Sequence, residues 1–471
     1  KRSAAEAAKK AFITTRVGDV GLMIGIILLY REAGTFNIQE IIAFAEEGGY
    51  GSGYLFVAMS FLFLGAMGKS AQVPFQVWLP DAMEGPTPVS ALIHAATMVV
   101  AGVYLTARML PVFEVADGTM LIITLVGLTT ALMSGFIAIT QTDIKKVLAY
   151  STIGQLGFMF VALGSGSTTA AMFHLMTHSF FKALLFLGSG SVIHATHHHQ
   201  DMEDMGGLWK KMPITGTTFL VGSLALAGLP ILAGFWSKDE IFAYANDRWG
   251  AWVVIPLGVA AVTTAFYSAR LFIRTFLGES RNRQVWEHTR ESGLLMTVPL
   301  VVLAFLAIVS GFVVFHQVGT ALGFPGGLPE FIYVPEEPER YHIDWALATA
   351  SFGMAVVGLF VGIYMYWGNS LARSTRAAEF QPRVYDMLRN KFYFDDLYQW
   401  VIDRGVLGFS FVTSWFDRYI VNDTGVDGSA QVTGYSGSLL KYIQTGRLPN
   451  YAMGIALGVV VLAIAGLAVR G

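Results

Sequence analysis

The sequence contains no cysteine and few charged residues. Among its 471 residues, 14% are Asp, Glu, Lys or Arg, and the formal net charge at pH 7 is -2. Without cysteine, the chain forms no disulfide bond, holds no iron–sulfur cluster through thiolates and has no cysteine nucleophile. Nucleic-acid binding requires a concentrated basic surface, which this charge balance does not provide. A cysteine-bound redox centre and a nucleic-acid partner are therefore excluded.

Apolar residues are abundant and occur in long runs. They form 54% of the chain, and the mean hydropathy is +0.54. A run of about 20 apolar residues crosses about 30 Å of hydrocarbon. Such runs lie near 11–30, 54–79, 87–110, 118–140, 144–164, 168–194, 213–245, 251–277, 294–315, 345–367 and 451–469. The sequence predicts an all-α transmembrane bundle of about eleven spans, with discontinuous helices at Lys69–Pro74 and Ala227–Phe235, where Gly, Pro or Ser interrupt the pattern.

Every second loop is basic. The basic loops carry Lys9, Lys10, Lys145, Lys146, Lys210, Lys211, Arg281, Arg283, Arg290, Arg373, Arg376 and Arg383. The alternate loops hold Glu46, Glu47, Asp117, Asp247 and the run Glu336–Glu337–Pro338–Glu339, and the exceptions to the pattern are Arg31, Arg108, Arg248 and Arg340. Because Lys and Arg of short loops stay on the cytoplasmic side, we expect the basic loops and the first residues on the cytoplasmic or matrix side.

Residues 391–421 interleave aromatic, aliphatic and charged side chains, and no window there is apolar enough to span. Four polar residues recur every seven positions, at Asp396, Asp403, Ser410 and Asp417. This period predicts an amphipathic helix of roughly 45 Å that ends at a break over Asn422–Gly428. We expect it to lie along the membrane plane, either against neighbouring subunits or as an ordinary interfacial anchor of its own subunit.

A lysine lies at or just after each of the two predicted helix interruptions. Lys69 ends the apolar run Tyr54–Gly68, and Lys238 lies in the segment Gly234–Glu240. Ionisable side chains inside spans are costly and typically line a hydrated path, and broken helices expose polar backbone groups beside them. The alternative is that either lysine extends to the membrane interface.

One span carries three titratable residues on a single helical face. His174, His178 and Lys182 are spaced i, i+4 and i+8 among Leu, Met, Phe and Ala. Imidazole titrates near neutrality, and burial disfavours the charged form of a lysine, so this face is typical of a proton ladder. A metal site and a pair of core histidines bonded to hydroxyl groups are the alternatives.

Other titratable residues are also candidates for proton transfer, and most of them have a simpler structural explanation. His94 is another histidine within a span. Asp19 is either a buried acid or the helical partner of Arg16. Asp143, Lys145 and Lys146 open a span where protons could be taken up or where the loop is simply solvated. The run 197–199, three histidines near acidic residues, is a solvated loop or a weaker metal candidate.

Several segments together are similar to the proton-conducting antiporter family, which includes the L, M and N subunits of complex I and the Mrp cation/proton antiporters. The segments are Gly68–Gln72, Asp81–Thr97, Asp143–Thr152, His174–Leu184 and Gly234–Asp239. The Phe-Trp-Ser-Lys context of Lys238, Phe392–Asp395 and Gln444–Arg447 resemble the L-type subunit of NADH:quinone oxidoreductase. That subunit has two inverted five-helix repeats, a lateral helix and a final anchoring span.

The resemblance implies a role for each candidate. Lys69 is the central lysine of the first repeat and His94 follows it in a hydrated row. Lys145 or Lys146, His174, His178 and Lys182 continue the axis to Lys238, the terminal lysine. The glutamate expected to pair with Lys69 would lie on a span before residue 1, so we expect about five further spans there. We also expect Asp19 within water-bridging reach of Lys69.

The resemblance divides the chain into 1–110 and 111–277 for the two repeats, 278–370 for additional spans, 371–450 for the lateral helix region and 451–471 for the anchor. It implies a proton-translocating subunit in an energy-coupling membrane, bacterial, mitochondrial or thylakoid. The chain would hold no cofactor and no metal. Flavin, iron–sulfur clusters and quinone would reside on partners, which include other antiporter-like membrane-arm subunits. An Mrp-type sodium/proton antiporter subunit and a structural clamp are the alternatives.

Overall fold

A computed structural model describes residues 2–321, 328, 332, 344–368 and 371–469. These residues are almost entirely helical, and no β-strand occurs among them. The helices are α1 (Arg2–Ala33), α2 (Ile38–Glu46), α3 (Ser52–Lys69), α4 (Trp78–Asp81), α5 (Thr87–Ala95), α6 (Ala101–Arg108), α7 (Leu110–Val115), α8 (Thr119–Thr140), α9 (Ile144–Gly164), α10 (Thr168–Ala195), α11 (Pro213–Ala227), α12 (Ala233–Trp249), α13 (Ala251–Phe276), α14 (Arg283–His288), α15 (Leu294–Val309), α16 (His316–Ala321), α17 (Trp345–Tyr366), α18 (Leu371–Phe380), α19 (Pro382–Arg389), α20 (Phe394–Val401), α21 (Leu407–Phe416), α22 (Gly428–Ile443) and α23 (Leu448–Ala468). Short 3-10 turns cover Phe75–Val77, Ala82–Glu84, Met98–Val100, Met202–Asp204, Leu208–Lys210 and Ser310–Val314. The acidic run at 336–339 lies outside the described residues.

The predicted all-α transmembrane architecture is confirmed. Ten helical segments in the described ranges are long and apolar enough to cross a membrane, and α5 with α6 counts as one of them. The remaining predicted window, 213–245, is divided between α11 and α12. Residues 31–53, which carry no predicted span, contain only the short helix α2 between α1 and α3.

The chain divides into two compact units, Lys1–Phe392 and Tyr393–Gly471. Within the first unit, α9 is the central helix, because every residue of its apolar membrane window is buried. The backbones of α8 and α9 approach closely where Gly127 faces Gly157: a Cβ on Gly157 would lie 2.5 Å from the Gly127 carbonyl oxygen. Glycine at both positions therefore permits this packing.

Several basic loops gather on one face of the first unit. Lys10 Nζ forms an ion pair with Asp81 at 2.6 Å. The backbone of Gln200–Met202 pairs with that of Thr142–Ile144, and Arg281 donates to the Met202 carbonyl. Arg274 forms an ion pair with Glu203 in the same region. The contacts agree with the predicted sidedness, in which these loops share one side of the membrane.

The prediction that the helix of the second unit breaks at Asn422–Gly428 is wrong. Helical backbone continues from α20 to α22 through π-helical segments at Ile402–Val406 and Asp417–Asp427, which makes about 75 Å of helix at 1.5 Å per residue. The side chains of Asn422 and Thr424 donate to the carbonyl groups of Asp417 and Tyr419, five residues earlier. These bonds satisfy carbonyl groups of the wide turns, so the local glycines do not end the helix. Its orientation to the membrane stays a prediction.

Candidate functional site

The predicted break at Lys69 is present. Helix α3 ends at Lys69, and Ala71 has φ of 48° in the turn that follows. Lys69 Nζ lies 2.9 Å from Asp19 Oδ1, and Arg16 lies 3.8 Å from the other Asp19 oxygen. The predicted proximity of Asp19 to Lys69 is therefore confirmed, and the two lie closer than a water-bridged approach because α1 and α3 pack closely enough for a direct ion pair. Both members remain partly exposed.

Close packing between α1 and α3 sets the distance between these charges. Gly18 precedes Asp19 and Gly68 precedes Lys69 in the sequence. A Cβ on Gly18 would lie 3.1 Å from both the Gly68 Cα and the Leu64 carbonyl oxygen. The two backbones are therefore in contact one residue away from the ion pair. This contact brings the Lys69 ammonium group close to the Asp19 carboxylate.

The second predicted break separates α11 from α12. Gly228 ends α11 with φ of 85°, a left-handed conformation that glycine adopts without strain. Ile231 also has a positive φ, of 76°. Lys238 lies in α12, and its Nζ donates to the Leu226 carbonyl oxygen at 2.5 Å. That carbonyl belongs to the last turn of α11, so the lysine bonds the polar end of the other half-helix, as expected where a helix is interrupted.

The face of α10 that carries His174, His178 and Lys182 is fully buried. Lys182 Nζ donates to Ser151 Oγ at 2.8 Å. The rings of His174 and His178 lie 6.3 Å apart, and neither nitrogen of His178 has a hydrogen-bond partner among the residues that the structure describes. A buried imidazole without a partner is the kind of polar group that ordered water satisfies.

His174 is held by residues that the sequence reasoning did not identify. Its Nδ1 lies 2.9 Å from Ser237 Oγ, and its Nε2 lies 3.1 Å from Gln155 Oε1. Thr177 Oγ1 also donates to Ser237 Oγ, at 2.9 Å. Ser237 is the neighbour of Lys238, so hydroxyl groups connect the α10 face to the second break. For His174, these contacts match the alternative interpretation, in which a core histidine is hydrogen-bonded to hydroxyl groups.

Ser151 is a second residue absent from the sequence-based set. It accepts hydrogen bonds from Lys182 Nζ and from Tyr267 OH, the latter at 2.7 Å. Ser151 lies on the central helix α9 and Tyr267 on α13. Their separation of 116 residues explains why no local pattern could reveal the contact.

His94 lies at the end of α5 and is fully buried. Its ring packs on Phe186 with centroids 4.7 Å apart, and within the described ranges neither ring nitrogen has a hydrogen-bond partner. Like His178, it therefore has both nitrogens available for water.

A polar cleft of about 340 Å³ opens on the basic-loop side. Lys10, Asp81, Glu84, Asp143 and Lys146 are among its lining residues. Lys145 also lines it. The Lys145 side chain is nevertheless buried, and its Nζ donates to the Met83 and Gly85 carbonyl oxygens at 2.5 and 2.8 Å. Lys146 is half-buried, so Lys145 is the lysine that leads from the cleft towards the interior.

Asp143 caps the first turn of α9, where its carboxylate accepts the backbone N–H groups of Lys145 and Lys146. Burial raises the pKa of this carboxyl group, while those N–H groups and the nearby lysine charges oppose the rise. The protonated form therefore persists to higher pH than for an ordinary aspartate.

We expect Asp143→Asn to remove a pH-dependent step from proton uptake, because asparagine still caps the helix but does not titrate. Proton uptake by vesicles that contain this protein together with the subunits that copurify with it, measured across the acidic and neutral range, checks this. Asp143→Ala should in addition lower stability by about 1 kcal/mol through loss of the cap. An unchanged pH profile in Asp143→Asn would count against a titrating role.

The run 197–199 lies in a polar loop. His197 and His198 are exposed, and His199 Nδ1 lies 3.3 Å from Asp204. In the part of the chain that the structure describes, no group of three or more His, Cys, Asp or Glu residues has the geometry to hold a metal ion. The exposure of His197 and His198 agrees with the solvated-loop interpretation.

Residues 1–264 match the family described as "NADH:quinone oxidoreductase/Mrp antiporter, TM". The chain is 42% identical to NAD(P)H-quinone oxidoreductase chain 5 of Picosynechococcus sp. over 98% of its own length and 74% of that protein. It is 38% identical to NADH-quinone oxidoreductase subunit L of Neisseria meningitidis serogroup A, with the same shares of the two proteins. Its fold is similar, with a TM-score of 0.65 and 26% identity, to a chain of the Mrp complex from Dietzia sp., covering 99% of this chain and 47% of that one.

Proposed function

The chain belongs to the NADH:quinone oxidoreductase/Mrp antiporter transmembrane family, and from this premise we propose that it is the L-type proton-translocating membrane subunit of an NADH:quinone oxidoreductase. It is a multi-pass protein of an energy-coupling membrane. The observation that carries the proposal is the set of titratable side chains on α3, α5, α10 and α12 of the first unit, all of which but Lys69 are buried: Lys69, His94, His174, His178, Lys182 and Lys238.

In this proposal the cleft beside Lys145 collects protons from the basic-loop side. The α10 face stores and passes them by changes of protonation at His178 and Lys182. Water beside the rings of His94 and His178 would complete the path, because neither ring has a hydrogen-bond partner in the part of the chain that the structure describes. Ser151 and Ser237 would hold the interior groups in hydrogen-bonding positions.

The energies involved are modest. Moving one proton against about 100 mV requires about 2.3 kcal/mol. A change of one unit in the pKa of a group corresponds to about 1.4 kcal/mol. A change of about two units in a single buried group is therefore sufficient to drive one proton, and a rearranged ion pair such as Lys69 with Asp19 is of the right kind to produce it.

Electron transfer would take place on other subunits, since the sequence offers no cysteine ligand for an iron–sulfur cluster. We propose that flavin, iron–sulfur clusters and quinone are bound there. The second unit supplies surface for such an assembly. Trp400, Phe409, Phe411 and Trp415 are large apolar residues exposed in that unit, and exposed apolar surface of this extent is typical of contacts with other proteins or lipid. We propose that other antiporter-like subunits of the membrane arm are its partners.

The similarity to the Mrp complex chain supports a second candidate, a sodium/proton antiporter subunit. Affinity purification from native membranes, followed by reconstitution in vesicles, distinguishes the two. We expect copurification with flavin and iron–sulfur subunits, and proton uptake that starts on addition of NADH and quinone without sodium. Sodium-dependent exchange in a preparation free of these redox groups would instead establish the antiporter.

A further inference from the structure

The span formed by α5 and α6 contains a third interruption, which the sequence does not signal by Gly or Pro. Ala96 has φ of -142° and Thr97 has ψ of -94°, so neither residue is helical. Thr97 Oγ1 donates to the Leu92 carbonyl oxygen at 2.7 Å, five residues back. The interruption begins two residues after His94. Backbone carbonyl groups next to it are left for partners outside the helix.

Two neighbouring helices each place one serine hydroxyl on those carbonyl groups. Ser70 Oγ donates to the Val99 carbonyl oxygen at 2.7 Å. Ser179 Oγ lies 3.1 Å from the Ala95 carbonyl oxygen and shares its proton with the Leu175 carbonyl oxygen of its own helix. Ser70 follows Lys69 in the sequence, and Ser179 follows His178.

The contact at Ser70 is reinforced by close backbone packing. Gly102 of α6 lies against the Ala66 carbonyl oxygen and Ser70 Oγ, so that a Cβ at Gly102 would overlap both. The end of α3 and the start of α6 are therefore in close backbone contact. Ser70 itself is fully buried, and water does not replace its hydrogen bond without a rearrangement.

Neither serine serves as a proton relay in this arrangement. Each donates to a backbone carbonyl, which does not pass a proton onward. The bonds instead connect three elements in space: the end of α3 with Lys69, the interruption beside His94, and the α10 face with His178. Ser70 thereby bonds the 3-10 turn Met98–Val100, which directly follows the interruption, and Ser179 bonds the last residue of the helix that carries His94.

We infer that Ser70 and Ser179 are positioning residues that hold the α5–α6 interruption between Lys69 and His178 and thereby place His94 for proton transfer between the two halves of the path. The inference rests on the proposed function. Ser70 is the principal residue, because among the described residues its hydroxyl donates only to the Val99 carbonyl, and Ser179, whose proton is shared between two carbonyl groups, is the secondary one.

The test uses the intact complex in vesicles and compares Ser70→Ala with Ser60→Ala. Ser60 lies within α3, the helix that Ser70 directly follows, and its buried hydroxyl has no hydrogen-bond partner among the described residues, so it controls for loss of a serine from this part of the chain. We expect Ser70→Ala to lower the rate of proton transport by about fivefold, the effect of one hydrogen bond of typical net strength, and to change its pH profile. Ser60→Ala should leave both unchanged.

A double variant separates positioning from general destabilisation. In a His94→Gln background, Ser70→Ala should cause no further loss, since Ser70 acts through His94. A full fivefold loss in that background, or equal effects of Ser70→Ala and Ser60→Ala, would overturn the inference. If Ser70→Ala does not assemble, Ser179→Ala against Ser189→Ala gives the same comparison on α10, because Ser189 donates within its own helix.

A further arm distinguishes failure of this inference from failure of the proposed function. Lys182→Met removes a proposed proton carrier and does not touch the α5–α6 interruption. Loss of transport in Lys182→Met with normal transport in Ser70→Ala contradicts only the positioning role. Normal transport in both variants contradicts the proposed function itself.

Discussion

Replacing Lys182 by methionine should reduce proton transport by the assembled complex by about a hundredfold or more, the range that a positioned proton-transfer group contributes. Lys182 is fully buried and bonded to Ser151. Methionine has a similar length and no titratable group, so it fills the same space in α10 without carrying a proton. The initial rate of proton uptake in vesicles, normalised to quinone reduction, measures the effect.

Lys211→Met is the matched control. Lys211 lies next to the short helical turn Leu208–Lys210, with its Nζ 4.3 Å from the centre of the Trp286 ring, and it has no place in the proposed path. Its replacement should leave transport unchanged and should show that loss of a lysine by itself has no effect. Comparable uptake by the Lys182→Met variant and the unmodified complex would exclude Lys182 from proton transfer.

Lys69→Ala should impair transport more strongly than Asp19→Asn. The lysine is the proposed carrier at the first break, whereas the aspartate is the charge that holds it, 2.9 Å away. Without Asp19 the ammonium group loses a direct partner but keeps its ability to exchange protons. We expect near-complete loss of transport in Lys69→Ala and partial loss in Asp19→Asn, both measured as proton uptake at several pH values.

An exposed lysine at the start of α1, Lys9, provides the control: Lys9→Ala should not change uptake. The opposite order of effects, with Asp19→Asn abolishing transport and Lys69→Ala sparing it, would reverse the two roles. Normal transport in both Lys69→Ala and Lys238→Ala would favour a structural clamp whose lysines are inert.

The sequence predicted the features that depend on local spacing. The i, i+4, i+8 pattern places His174, His178 and Lys182 on one face of α10, and the structure has a continuous helix there. The break before Lys238 could be predicted because Gly228 and Pro230 interrupt an apolar run. Such signals are properties of the chain itself and require no knowledge of neighbouring helices.

Contacts across helices could not be predicted in the same way. Ser151 and Ser237 are ordinary polar residues in their own helices, and only the packing of α9, α10 and α12 places them beside Lys182 and His174. The continued helix in the second unit was also missed, because glycine, asparagine and aspartate favour an end to a helix in propensity terms. In this segment, hydrogen bonds from the side chains of Asn422 and Thr424 to carbonyl groups five residues earlier compensate for the low helix propensity.

The close contact between Gly18 and Gly68 limits how the first ion pair can open. With two backbones in contact one residue from the charges, α1 and α3 cannot slide past each other without a clash. Separation of Lys69 from Asp19 must then come from rotation about the side-chain bonds of the lysine, which in partly exposed residues takes about picoseconds to nanoseconds. The separation of Lys69 from Asp19 would therefore be far faster than any rearrangement of helices. A different step of the transport cycle would then limit its rate.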